Sequence, residues 1–322
     1  RELLAKPDID AVLICTSDNW HKAIAVDALK AGKHVYCEKP MVQHIEQGQE
    51  IIDAQKASRR VFQVGSQGAS SVDTLKAKEY YESGIIGELT NVQASNERWN
   101  SNGAWNYSIP TDASPETVDF DTFLGDAPKV PFDPVRFFRW RNFKEYGTGV
   151  AGDLFVHLLT SVHVITGSIG PRKIYALGDL NYWKDGRNAN DLVTGILDYP
   201  TTKKHASFQF ITQVNLANGS KNGSSGTRLI GTEGVMTMGY NGFTIETLKR
   251  PVSPGYGGYD SFESFSAKQK AEYKKWYKAT YDDVKTVVEN PEPIEFKTEN
   301  GYDDRYDHMV VFFNAVRANR PE

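Results

Sequence analysis

The sequence predicts an α/β domain on a parallel sheet, followed by a larger α+β domain on an open antiparallel or mixed sheet. Two observations predict this order. Residues 1–65 alternate short apolar runs with helical stretches, which is the β-α-β-α-β pattern of a right-handed doubly wound sheet. From residue 89 onward the apolar runs are longer and alternate with polar residues, as in sheets with one buried face. We place the domain boundary between residues 85 and 86.

The first domain opens with a continuously apolar strand over residues 10–17 (DAVLICTS) that ends in small polar residues. That pattern is typical of a parallel strand buried on both faces, with a ligand at its carboxyl end. The remaining expected elements are a helix at 21–33, a strand at 34–37, a helix at 44–58, a strand at 61–64 and a helix at 71–82.

The second domain is predicted from its alternating strands and a closing helix. The expected strands lie at 89–98, 173–183, 191–199 and 205–214, and the helix at 303–318 is expected to pack back on the fold. Two loop-rich stretches, 100–134 and 252–264, are long enough to predict lids or interface arms.

Composition excludes several classes of protein. The chain has 322 residues, a net charge of -4 and 24% charged residues, so it has no bulk attraction for nucleic acid or anionic membranes. No apolar run approaches the roughly 20 residues of a membrane span. Cys15 and Cys37 are expected to be buried core residues in a reducing compartment, and the cytoplasm is the default location. The missing initiator Met suggests a processed or truncated chain, from which a removed export signal would leave no trace.

The turn after the first strand, Thr16-Ser17-Asp18-Asn19-Trp20-His21, is a candidate binding element. Ligands of open α/β sheets lie beyond the carboxyl ends of the strands, and small residues let the backbone approach a cofactor. Capping of the next helix by Ser17 or Asp18 explains the same residues equally well.

Glu38-Lys39-Pro40 follows the second strand at the same edge of the sheet. A partly desolvated lysine serves there as an acid or as a hydrogen-bond donor to a substrate hydroxyl. An ordinary surface lysine is the alternative.

A glycine run, residues 147–152, leads into an apolar helix that carries Asp153 and His157 at i and i+4. The two side chains share one face, where a carboxylate can orient a histidine and raise its basicity for proton abstraction. A structural Asp-His pair is one alternative, and metal binding is another that lacks a third ligand. His163 falls off this face and is assigned to structure.

Trp140-Arg141, just upstream, is either a stacking cation for a phosphate or nicotinamide pocket or an interdomain packing pair.

Together these residues resemble the glucose-fructose oxidoreductase/inositol dehydrogenase (Gfo/Idh/MocA) family. The matching segments are IDAVLICTSDNWH, ALKAGKHVYCEKP, VFQVG, SGIIGELTNVQA, the WR pair, GxxxDxxxH, GTEG and DHMVVFFNAVR. The resemblance runs from residue 9 to the C-terminus. It implies a dinucleotide-binding Rossmann domain, NAD or NADP as cofactor, a sugar or polyol substrate, and a dimer or tetramer formed through the open sheet.

The resemblance also implies residue roles. Lys39 would donate to the substrate oxygen, and His157, beside Asp153, would accept the proton of an alcohol. The positions that would line the cofactor are Thr16, Ser17, His21, Glu38 and Arg141, with Trp140 beside the last. No residue is assigned to a metal.

Three departures from the family pattern stand out. Thr160 replaces the usual Asp three residues after His157, and Phe155 replaces the usual Gly two before it, which puts the usual substrate contacts in doubt. The first strand matches the fourth of a Rossmann sheet, and nothing in the chain supplies the earlier strands or the GxGxxG phosphate turn. We therefore expect a fragment, a chain with a further N-terminal portion, or an edge borrowed from a neighbour.

Two other functions remain open. Some family members are NAD-dependent glycosidases, and aromatic residues between Trp99 and Tyr107 suit a sugar platform. An inert interaction domain is the third hypothesis, against which Lys39, Asp153 and His157 argue. Substrate choice is assigned to the loops at 96–107 and 215–227.

Overall fold

Residues 2–220, 225–248, 255–281 and 291–321 are described by the computed structural model of the chain. They form a three-stranded parallel sheet followed by an eight-stranded mixed sheet, which confirms the predicted fold class.

The parallel sheet has the strand order β1-β2-β3, and its helices alternate with its strands. Its elements are β1 (Ala11–Ile14), α1 (Asp18–Lys30), β2 (His34–Glu38), α2 (Gln47–Ser58), β3 (Phe62–Gly65) and α3 (Val72–Glu82). All six were predicted, although α1 begins three residues before the predicted start. Its first residue, Asp18, is buried, so the helical pattern of exposed and apolar residues does not show there.

The prediction that β1 is buried on both faces is wrong. Leu13 is 53% exposed, and Cys15, also expected in the core, is exposed whereas Cys37 is buried. Among the described residues β1 pairs only with β2. Its outer side lines an apolar groove of about 980 Å³ together with Leu4 and Ile9, on the side where the resemblance implies further strands.

The mixed sheet has the order β11-β10-β9-β8-β4-β7-β6-β5. The β4–β7 pair is parallel, and the other pairs are antiparallel. Its strands are β4 (Leu89–Glu97), β5 (Lys173–Asp179), β6 (Leu192–Tyr199), β7 (Phe208–Asn215), β8 (Gly226–Gly231), β9 (Gly234–Gly239), β10 (Gly242–Thr247) and β11 (Ile294–Lys297). Strands β8 to β11 were not predicted, because each is short and five of their ends are glycines that read as turns.

Helix α6 (Gly149–Thr166) is the central helix of the second domain and packs on one face of the mixed sheet and on α3. Leu158, Val162 and Ile165 join the sheet core. Within the described ranges α6 is the one helix long and apolar enough to cross a membrane. Helix α6 is buried against the sheet and carries Asp153, which is ionised as described below. Both features are typical of a core helix.

The other helices are α4 (Phe120–Leu124), α5 (Pro134–Phe138), α7 (Ala267–Tyr281) and α8 (Asp304–Arg317). Helix α8 packs against the parallel sheet, where Phe312 contacts Tyr36 edge-on and the Gln63 amide donates to the His308 carbonyl oxygen at 2.8 Å. Helix α7 was not predicted. Part of the loop predicted at 252–264, residues 252–254, lies outside the described residues.

Candidate active site

Lys39 and Asp153 meet between the two domains. Lys39 Nζ lies 2.8 Å from Asp153 Oδ1 and 2.9 Å from the Asp153 carbonyl oxygen, and both side chains are largely buried. Lys39 follows β2, and Asp153 lies in the second turn of α6. The third N–H of the ammonium has no partner among the described residues and is available to a ligand.

Arg141 is the second cation on Asp153, with Nε 3.4 Å from Oδ1. Burial alone would raise the pKa of this carboxyl, but the Lys39 and Arg141 cations outweigh it and hold the pKa of Asp153 below its usual value. The Arg141 guanidinium stacks over the Trp140 ring at 4.2 Å. Asp153 is therefore ionised at neutral pH and orients both cations.

A cavity of about 710 Å³ opens beside this cluster. Four of the six predicted cofactor-binding residues line it, namely Thr16, Ser17, Trp140 and Arg141. Its other walls are largely apolar and aromatic, and include Trp20, Phe123 and Phe138. The turn after β1 thus forms part of a concave surface, as its position at the strand's carboxyl end predicted.

His21 and Glu38 do not line this cavity, and their expected contact with a cofactor stays a prediction. His21 is 1% exposed, and its ring nitrogens lie 2.7 Å from the Pro40 carbonyl oxygen and 3.2 Å from that of Thr16. His21 therefore connects the turn that follows β1 to the turn that follows β2. The Glu38 carboxylate instead accepts from the Gln67 amide at 2.9 Å.

Asp18 joins α1 to the start of α6. It is 2% exposed, and its Oδ2 accepts from the Thr148 backbone N–H at 3.0 Å and from the Thr148 hydroxyl at 2.9 Å. Ser17 makes no capping bond to α1; its hydroxyl donates to the Asn19 side chain. Thr148 is the N-cap of α6, so the buried carboxylate of Asp18 holds the helix that carries Asp153 and His157.

The pKa of His157 is lowered, contrary to the expectation that Asp153 raises the basicity of this residue. Desolvation by surrounding protein atoms and the Lys39 cation lower the pKa of His157 to about 4, although Asp153 acts in the opposite direction. His157 is nevertheless an exposed residue. Among the described residues, Asp153 bonds to Lys39 and Arg141 and not to the imidazole. At neutral pH His157 is therefore uncharged, with a ring nitrogen able to accept a proton.

The predicted sugar platform is wrong for Trp105. This ring is 1% exposed and packs in a core cluster with Val150 and Leu154 of α6, whereas Trp99 is exposed. His163 is structural, as expected, since its Nε2 lies 2.7 Å from the Tyr199 hydroxyl. Of the predicted specificity loop at 215–227, residues 221–224 lie outside the described residues.

Sequence reasoning missed two residues of this region. Asp18 was noticed only as a possible cap, and its bond to Thr148 spans 130 positions. Arg98 influences His157 but belongs to no motif. No group of three or more His, Cys, Asp or Glu side chains suited to a metal occurs within the described ranges.

Residues 1–66 match the model of an oxidoreductase family with an NAD-binding Rossmann fold, Gfo/Idh/MocA. Over these residues the chain is similar to the Gfo/Idh/MocA oxidoreductase family, and the match spans residues 1–66 of 322. A levoglucosan dehydrogenase of Pseudarthrobacter phenanthrenivorans is 27% identical over 168 residues, which are 52% of this chain and 35% of that enzyme. An inositol 2-dehydrogenase of Gluconacetobacter diazotrophicus is 32% identical over 133 residues, 40% of this chain and 39% of the enzyme. The chain thus matches little more than a third of the length of these Gfo/Idh/MocA relatives.

Solved structures agree on the fold. A levoglucosan dehydrogenase in complex with NADH superposes with a TM-score of 0.62 at 18% identity, covering 99% of this chain and 73% of the other. An NAD-binding oxidoreductase from Klebsiella pneumoniae gives a TM-score of 0.56 at 22% identity, covering 76% of this chain and 59% of the other. At these identities the similarity establishes the fold alone.

Proposed function

We propose that the chain supplies the catalytic part of a nicotinamide-dependent dehydrogenase acting on a sugar, a polyol or a sugar derivative. The observation that carries this proposal is the Lys39–Asp153–Arg141 cluster near an uncharged His157, in which Arg141 also lines the 710 Å³ cavity. A hydrogen-bond donor to the reacting oxygen and a neutral base for its proton are what alcohol oxidation requires.

Each residue has a distinct role in this reaction. Lys39 donates its remaining N–H to the substrate oxygen and stabilises the negative charge that develops there. His157 accepts the hydroxyl proton, and its low pKa keeps the imidazole in the accepting form across the neutral range. Asp153 does not take a proton, because the two cations hold it ionised; it fixes the positions of Lys39 and Arg141.

The cavity fits the nicotinamide end of NAD or NADP. Thr16 and Ser17 give it a wall of small residues, and the Trp140–Arg141 stack gives it a flat cationic one. A nicotinamide held there would supply the hydride acceptor or donor for the substrate carbon. The names of the Gfo/Idh/MocA relatives, inositol and levoglucosan dehydrogenases, support a sugar or polyol as substrate.

We also propose a homo-oligomer formed through the open face of the mixed sheet. Tyr175, Ile196 and Ile211 lie side by side on β5, β6 and β7, and all three are exposed. Such an apolar row on a sheet face is typical of a protein–protein interface.

Turnover by paired variants tests the catalytic proposal. Lys39→Met and His157→Asn are expected to lower kcat about 10²–10⁴-fold, the usual contribution of a positioned acid or base, while the affinity for NADH stays unchanged. The matched controls are Lys268→Met and His44→Asn, at exposed positions. Turnover equal to that of the controls would contradict the assigned roles.

The same assay separates the two other hypotheses. Release of a sugar without net NADH formation would indicate an NAD-dependent glycosidase instead of a dehydrogenase. A folded chain that binds neither cofactor nor sugar in any assembly would indicate an interaction domain.

A further inference from the structure

We propose that the substrate carries a carboxylate or phosphate group and that Arg98 binds it, which makes Arg98 a specificity-determining residue. This inference rests on the proposed function for the reaction, but anion recognition by Arg98 is measurable without turnover. Four observations support it: the position of Arg98 between two loops, its hydrogen bonds, the packing of the segment that binds it on α6 and the charges around it.

Arg98 stands where the two predicted specificity loops meet. It is the first residue after β4, and its backbone N–H donates to the Asn215 carbonyl oxygen at 2.9 Å. Its own carbonyl accepts from the Asn218 N–H at 2.9 Å. The backbone of Arg98 is thus fixed by the second loop, and its side chain extends toward the first.

Two hydrogen bonds hold the Arg98 side chain and leave some of its N–H donors unused. Nε lies 3.3 Å from Asn96 Oδ1, and Nη1 donates to the Gly103 carbonyl oxygen at 3.0 Å. A Cβ at Gly103 would lie 3.2 Å from Arg98 Cβ, so the two residues approach closely. Nη2 has no hydrogen-bond partner among the described residues. A guanidinium fixed at one side presents its remaining N–H groups to a carboxylate or phosphate.

The segment that binds Arg98 packs on the helix of the proposed catalytic residues. Ala104 and Trp105, directly after Gly103, pack on Val150 and Leu154 of α6, the helix that carries His157. After desolvation and the Lys39 cation, the Arg98 cation also contributes to lowering the pKa of His157. The proposal places Arg98 within reach of a substituent of a sugar held at Lys39 and His157.

The carboxylates around the site are bonded to groups other than Arg98. Asp153 is shared by Lys39 and Arg141, and the Asp18 carboxylate is buried against Thr148. Glu97 is bonded to the amides of Gln213 and Asn218.

Within the described part of the chain Arg98, which is partly buried, forms no ion pair. A neutral sugar would leave this cation uncompensated in a partly desolvated site, whereas an anionic substituent would offset it.

Isothermal titration with three probes tests the inference: D-glucuronate, D-glucose 6-phosphate and D-glucose, each with and without NADH. The full chain is expected to bind one of the charged sugars at least tenfold more tightly than glucose. Arg98→Gln is expected to abolish that preference, and Arg98→Lys to retain part of it. Arg172→Gln is the control, because Arg172 pairs with Asp198 on an exposed strand edge. The tighter of the two charged probes identifies the anion as carboxylate or phosphate.

Several results would overturn the inference. One is that glucose and both charged sugars bind with equal affinity. Another is that Arg98→Gln keeps the preference for a charged sugar. The third is that the folded chain binds no charged sugar. If Arg98→Gln does not fold, the salt dependence of sugar binding by the wild-type chain tests the inference instead. Added NaCl should weaken binding of the charged sugar and leave glucose binding unchanged. Anion binding through Arg98 without any redox turnover would contradict the proposed dehydrogenase and not the anion site. Turnover of a charged sugar by Arg98→Gln at the wild-type rate and KM would contradict the anion site and not the proposed dehydrogenase.

Discussion

Asp18 Oδ2 lies 3.0 Å from the backbone nitrogen of Thr148 and 2.9 Å from its hydroxyl, so a buried carboxylate joins the parallel-sheet domain to the helix of the active site. Desolvation raises the pKa of Asp18 to about 6 in spite of its bond to Thr148. At neutral pH the Asp18 carboxylate is therefore ionised, although its burial disfavours the charge. This carboxylate lies where the two domains meet.

Asp18→Asn is expected to change the pH dependence of stability. Because the folded pKa is raised above the unfolded value, the stabilising contribution of Asp18 is full below about pH 4 and is lost as pH rises through 6. Asparagine does not titrate, so the Tm of the variant minus that of wild type should increase between these pH values. Thermal unfolding at several pH values measures it. A difference that falls with pH would contradict the raised pKa.

Gly152→Ala is expected to destabilise the start of α6. A Cβ at Gly152 would overlap Cβ and Oγ1 of Thr148, and Thr148 cannot move without loosening its bonds to Asp18. Overpacking of this kind costs about 1–3 kcal/mol, measurable by urea unfolding. Gly68→Ala is the control, since nothing lies within 4 Å of a Cβ at that position. Equal effects of the two substitutions would show that Thr148 is not held in place.

Lys39→Met is expected to raise the pKa of His157 from about 4 toward its ordinary value. Removal of the Lys39 cation leaves Asp153, which favours the imidazolium, while desolvation still acts against it. NMR titration of the histidine ring protons, with His157→Asn used to assign the signal, measures this shift. An unchanged or lower pKa would mean that Lys39 does not lie near the imidazole in solution.

Ile196→Lys is expected to dissociate the oligomer proposed for the open sheet face. Ile196 lies between Tyr175 and Ile211 in the exposed apolar row, where a buried lysine without a partner is unfavourable. Sedimentation velocity measures the assembly state, with Thr90→Lys, at an exposed position of β4, as the control. A wild-type monomer, or an Ile196→Lys variant that still assembles like the control, would contradict the proposal.

The sequence predicted the order of the elements because buried parallel strands and alternating strands have different patterns. It placed Lys39, Asp153 and His157 in one site through motifs. It did not predict the pairing of Lys39 with Asp153, since the two are 114 positions apart, nor the low pKa of His157, which depends on desolvation and on cations from distant segments. The burial of His21 beneath the two turns was not predicted for a similar reason: it is a property of packing and not of the motif.

In the proposed reaction Lys39 and His157 perform acid–base chemistry on a sugar while a nicotinamide occupies the neighbouring cavity. The most direct measurement follows NADH fluorescence when NAD⁺ and a panel of polyols, sugars and sugar acids are added to the chain in its native assembly. We predict that at least one of these compounds produces NADH, and that Lys39→Met and His157→Asn bind NADH with wild-type affinity but form it at least 100-fold more slowly. NADH formation at the wild-type rate by both variants, or no nucleotide binding by the folded assembly, would contradict the account.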